Sequence, residues 1–197
     1  MSDYTVIADL GDSLVSLLYT ELSADPQISG LIDSEDRISL ESPADLESNN
    51  SVRLSMYLYR ILEDPYMKNR FPVEGTGGKL RKPPLTLDLY YLLTPLLGTP
   101  REQQIVLGKT MQILYDGAIL EGPDLKGSLG TNGEDIRVVL NPVSLEELTR
   151  VWQALEMPYR LSVCYIARVV IVNSELQQFG QPIVYKRITY GKFQPQR

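Results

Sequence analysis

The chain contains no histidine. That absence removes Ser-His-Asp and Cys-His nucleophilic centres, histidine-ligated zinc and imidazole proton shuttles. Its single cysteine, Cys164, can make neither an internal disulfide nor a thiolate cage. The position of that cysteine inside an alternating strand pattern fits a buried, inert thiol. Long hydrophobic runs are missing too. Charged or polar residues break every apolar stretch well before the roughly 20 residues needed to cross a bilayer. No basic-then-apolar run at the N-terminus reads as a secretion signal. The expectations are synthesis and folding in a reducing cytoplasm, no direct membrane insertion, no metal site and no cofactor.

At 197 residues and 43% hydrophobic content, the chain can bury one substantial core. A single domain over residues 1–197 is expected. The adjacent carboxylates Glu146 and Glu147 diverge by about 100° on a helix, so they read as a solvated face and not as an acid/base pair. GTGGK, from Gly75 to Lys79, invites a phosphate-loop reading. That motif needs glycine where Val73 stands and Ser or Thr where Leu80 stands, with a strand before it and a helix directly after. A glycine-rich hairpin tip fits better.

Local signals give an α/β (α+β) order of elements. A helix from Tyr4 to Leu22 places Ile7, Leu10, Leu14, Leu17 and Leu18 on one side and Asp9, Asp12, Ser13 and Ser16 on the other. Ile38 to Glu41 reads as a short strand and Val52 to Leu62 as a long, tyrosine-rich one. An unusually long loop then leads to its partner, Thr86 to Leu93. Thr99, Pro100 and Glu102 form a capping box with proline at the first helical position, opening a helix to Asp116 that Gly117 ends. Ile136 to Leu140 is a further strand. Ser144 and Glu147 form a second capping box. The helix they open carries Leu145, Leu148, Trp152 and Leu155 as a core stripe and is ended by Pro158. Leu161, Val163, Tyr165, Ala167 and Val169 then alternate with Ser162, Cys164, Ile166, Arg168 and Val170, and Ile183 to Tyr190 supplies a last strand. The fold expected is a mixed or antiparallel sheet packed by about three helices.

Charge is polarised along the chain. The first fifty residues hold eleven acids and one base, Arg37, and the remainder holds fourteen acids against eighteen bases. Lys68, Arg70, Lys79, Arg81 and Lys82 cluster in the long connection, opposed there by Glu74. Two readings stay open for the cluster: a solvated loop, or a docking surface for an acidic partner. A pI near 4.8, no recognisable binding module and a single interleaved aromatic, Phe71, speak against nucleic acid as that partner. A protein partner is expected.

Five long strings carry a resemblance: Asp3 to Leu18 (DYTVIADLGDSLVSLL), Arg53 to Arg70, Pro83 to Leu96, Gly122 to Leu129 (GPDLKGSL) and Asn141 to Tyr165. Together and in this order they resemble the N-terminal domain of the tail-terminator, or cap, proteins of extracellular contractile injection systems of the antifeeding-prophage type. The resemblance covers nearly the whole chain and specifies a scaffold, not a reaction. It implies a tail-terminator-like fold and a structural part that is not an enzyme. Such a part forms a ring, a hexamer by family analogy, on the distal end of tube and sheath, stopping polymerisation and tying sheath to inner tube. The implied partners are other copies of itself, the sheath protein and the inner tube protein, within an assembled particle that is either released or membrane-associated. Two other classes remain open: an adaptor linking the cap to a membrane anchor or a further cap component, and a carboxylate-dependent enzyme.

Overall fold

A computed structural model describes residues 4–66, 73–74, 79–96, 98–131, 135–174 and 176–179. In chain order its elements are α1 (Val6–Ala24), β1 (Ile38–Ser39), β2 (Leu54–Glu63), β3 (Val73–Glu74), β4 (Lys79–Arg81), β5 (Leu85–Pro95), α2 (Pro100–Asp116), β6 (Ile119–Leu120), β7 (Ile136–Asn141), α3 (Leu145–Ala154), β8 (Val163–Val172) and β9 (Gln177–Phe179). They fall into two compact units, Met1–Asn69 with Pro84–Asn173, and Arg70–Pro83 with Ser174–Arg197.

The larger unit is built on a six-stranded sheet in the order β1-β2-β5-β8-β7-β6. Only the short β1–β2 pair is parallel, so the sheet is mixed, with three helices packed on it. α1 and α2 cover one face. Leu10, Leu14 and Leu18 from α1 and Val106 and Ile113 from α2 close over Met56, Leu89, Tyr91, Val138 and Ala167. α3 covers part of the other face, where Leu148 and Trp152 meet Leu92 and Cys164. β5 therefore has helices on both sides and is buried along nearly its whole length, which is why its sequence runs hydrophobic with little alternation.

Both capping boxes form. Thr99 Oγ1 accepts from the Glu102 N–H at 3.3 Å while Glu102 Oε2 accepts from the Thr99 N–H at 3.1 Å. Ser144 Oγ accepts from the Glu147 N–H at 3.2 Å, and Glu147 Oε2 returns the contact to the Ser144 N–H at 3.0 Å. Each box satisfies orphan donors of the first turn. Trp152 is 1% exposed. Its indole N–H donates to Ser162 Oγ at 3.2 Å, and Tyr159 packs edge-on at 6.3 Å.

Several expectations are corrected. α3 stops at Ala154, before Pro158, because Glu156 takes a positive φ of 56° and reverses the chain first. Leu145 is 66% exposed, so the core stripe starts one turn later, at Leu148. Ser13, expected on the polar side of α1, is fully buried; its hydroxyl donates to the Asp9 carbonyl at 2.6 Å and accepts from the Lys126 N–H at 2.8 Å. The first short strand ends at Ser39 instead of Glu41. The long connection is not a bare loop. β3 and β4 lie within it and pair antiparallel, and β4 pairs with β9 into the second unit's three-stranded sheet. The expected strand from Ile183 to Tyr190 lies outside the described residues.

Candidate docking site

The five basic residues singled out from the sequence are placed as follows. Lys68 and Arg70 lie outside the described residues. Lys79 and Arg81 are the ends of β4, in register with Phe179 and Gln177, and their side chains are outside the description. Lys82 is exposed, and its N–H donates to the Leu176 carbonyl at 3.4 Å.

A groove that no sequence pattern announces lies on the larger unit's α3-covered face. β2 alternates normally through Leu54, Met56 and Leu58, whose side chains enter the α1/α2 core. The β2–β5 register then shifts between Leu58 and Arg60, leaving Tyr59 as the extra residue of a bulge. Two consecutive side chains, Tyr59 and Arg60, consequently line one groove with Tyr57, Tyr90, Val151 and Leu155. The groove is about 630 Å³ and runs between α3 and the sheet.

Its floor is aromatic, and Arg60 is held over it. Tyr59 and Tyr90 stack edge-to-face at 6.2 Å, and the Arg60 guanidinium carbon sits 5.3 Å from the centre of the Tyr90 ring. A cation over such a ring gains about 0.5–1 kcal/mol at an exposed site. Burial first, and the adjacent Cys164 second, push the Tyr59 phenol well above its ordinary range, so it stays neutral. Burial likewise pushes the Cys164 thiol up, against the opposing hydrogen bond with Tyr59. At the rim, Arg150 pairs with Glu146 at 2.7 Å, one turn away on α3. The hydrogen bond from the Ser144 backbone, followed by that from its hydroxyl, draws the Glu147 carboxyl below the usual range. The two adjacent carboxylates are thus committed separately, one to an ion pair and one to a cap.

Beside the groove lies a sheet edge that is open among the described residues. β1 pairs with Leu54 and Ser55 of β2 alone, and the Arg53 N–H extends that contact by one bond to the Arg37 carbonyl at 2.7 Å. Among the described residues, no strand pairs with residues 56–62 on the side away from β5. Ile61 and Leu62 on this edge are 44% and 37% exposed. At the sheet's other end β6 covers Ile136 and Arg137, and the Val138 N–H donates to the Ala118 carbonyl, leaving the shorter stretch 139–141 open among the described residues. Long open edges invite pairing with another chain unless they are blunted.

A family model described as the Pvc16 N-terminal domain matches residues 9–185. Among solved structures, the fold is similar to the sheath/tube terminator of an extracellular contractile injection system, PVC, in its extended state. The TM-score there is 0.62 at 21% identity, covering 98% of this chain and 65% of that one. It is also similar to the tube-terminating cap of the anti-feeding prophage, with a TM-score of 0.59 at 19% identity, covering 93% of this chain and 61% of that one. The chain therefore spans less than two thirds of either structure. No curated protein matches it in sequence.

Proposed function

Because the chain belongs to the Pvc16 N-terminal domain family, we propose that it is a structural cap of a contractile injection particle and not an enzyme. The match over residues 9–185 carries this reading, and the shared fold of two solved terminators supports it. In this role the chain forms a closed ring, a hexamer, on the distal end of tube and sheath. One face of the ring copies the mating surface of the next layer. The opposite face offers nothing to add to, so polymerisation stops. Contacts to both sheath and inner tube hold the two together when contraction begins at the baseplate.

Head-to-tail association suits a closed ring, since each subunit presents two different surfaces to its neighbours. The charge asymmetry of the chain supplies a candidate pair. Acidic residues of the first fifty meet the basic connection of Lys68, Arg70, Lys79, Arg81 and Lys82 on the next subunit.

Fractionation of purified particles tests the proposal. A cap copurifies with sheath and tube at a low, fixed ratio, and deleting it leaves tubes or sheaths of irregular, overlong length. A chain that stays in the soluble fraction while particles keep their normal length is not a cap.

A further inference from the structure

The groove under α3 and the open edge of β2 adjoin through the same residues. Tyr57, Tyr59 and Arg60 belong to the edge strand and also line the groove. A strand laid along residues 56–62 would meet main-chain donors and acceptors that no described strand pairs on that side. Every second side chain would point toward α3 and the aromatic floor. A bulge is a common way to blunt an edge. Here the residues after it, Ile61 and Leu62, are apolar and exposed, and its effect is to aim Arg60 into the groove. Among the described residues no carboxylate lies within ion-pairing distance of Arg60: Glu147, which lines the same groove and feels the Arg60 charge, is held in the Ser144 cap, and Glu146 is paired with Arg150. The arrangement thus combines a strand edge without a described partner, an apolar slot and a cation outside any described ion pair.

We infer that the β2 edge and the α3 groove form one composite site for an extended segment of a partner protein. That segment carries apolar side chains at alternate positions and a carboxylate opposite Arg60. Main-chain hydrogen bonds give the affinity, the slot between α3 and Tyr90 selects side chains on one face, and Arg60 sets the register. A basic segment is disfavoured, because its charge would fall beside the guanidinium. This rests on the capping proposal only for the identity of the protein that supplies the segment.

A peptide test keeps the two ideas separate. The probes are short peptides of alternating valine and threonine with a single central glutamate, or lysine in its place. The whole chain should bind the glutamate peptide several-fold more tightly, and amide exchange across residues 56–62 should slow on binding. Arg60→Glu should reverse the preference, Arg60→Gln should abolish it, and Ala154→Trp, which fills the groove from its exposed helical rim, should weaken both peptides. Melting temperatures and the mass of the isolated chain are read on every variant. Failure of the parent to bind either peptide, or an Arg60→Glu variant with unchanged preference, overturns the inference. Loss of self-association in Arg60→Glu would show that a second copy occupies the site, and overturns the choice of a separate partner. Peptide selectivity in a chain absent from particles would sink the capping proposal alone.

Discussion

Asp9 accepts two hydrogen bonds from Ser128, one from its backbone N–H at 2.9 Å and one from its hydroxyl at 2.7 Å, joining the first helix to a turn 119 residues later. Thr5 adds a third bond to the same carboxylate oxygen at 2.9 Å. Gly127, at φ 59°, makes this approach possible, since a Cβ there would lie 2.5 Å from the Asp9 carboxyl. Two of the five strings that carry the family resemblance, DYTVIADLGDSLVSLL and GPDLKGSL, therefore meet each other directly.

This junction predicts an acid-sensitive fold. Burial raises the Asp9 carboxyl, but the hydrogen bonds from Ser128 and Thr5 outweigh it and leave the group below 3.8. A depressed carboxylate contributes stability above its unfolded pKa and loses it as pH falls through the folded one. Asp9→Asn should cost about 1–3 kcal/mol at neutral pH and flatten the loss of stability on acidification below about pH 4. Denaturant melts at several pH values check this, and a parallel acid dependence in variant and parent would refute it. Gly127→Ala should destabilise the fold at every pH, because both the conformation and the space are wrong for a side chain.

Trp152 is a structural anchor. It is fully enclosed with Leu92, Leu148 and Cys164 and is hydrogen-bonded to Ser162. Trp152→Ala should lose about 3–5 kcal/mol, read as a lower denaturation midpoint. A variant that melts like the parent but fails to join particles would place the residue in an interface instead.

The basic connection should matter for assembly and little for folding. Replacing Lys68, Arg70, Lys79, Arg81 and Lys82 with serine removes five charges, of which Lys82 is exposed; surface substitutions usually change stability by no more than about 0.5 kcal/mol. The expected outcome is a folded chain missing from purified particles, which electron microscopy would show with overlong tubes or sheaths. Normal incorporation and normal lengths would assign the cluster to solvent.

Self-association should weaken with salt. If acidic N-terminal residues meet the basic connection of the next subunit, screening over a Debye length of about 8–10 Å weakens the contact as ionic strength rises. Mass measurements on the isolated chain across a salt series read this directly. Salt-insensitive rings would remove the charge pairing and keep the ring, whereas a strict monomer both in solution and on particles would remove the ring.

Local features were legible in the sequence and cross-strand ones were not. Both capping boxes rest on residues three apart, so Thr99 with Glu102 and Ser144 with Glu147 could be read directly. Leu145 was misplaced because periodicity gives a stripe but not where its neighbour begins; the sheet under α3 meets Leu148 first. Ser13 looked polar and solvent-facing, yet its partner Lys126 comes from a distant turn that no local pattern announces. The groove under α3 was hidden for the same reason. Tyr57 and Tyr59 marked a tyrosine-rich strand, but the bulge that brings Tyr59 and Arg60 to one face exists only in register with β5. The open edge follows from strand order, which places a two-residue strand beside a ten-residue one.

The strand order also dictates timing. β5 lies at the centre of the sheet, and its neighbour β8 begins only at Val163. On the ribosome, therefore, Leu85–Pro95 must wait for most of the chain to be made before its second side is paired. Until then a long apolar strand that ends up buried on both faces stays open to wrong partners, a recognised route to aggregation in slowly closing sheets. Slower synthesis at reduced temperature should accordingly raise the soluble yield of the chain, and truncations that remove β8 should accumulate as insoluble protein.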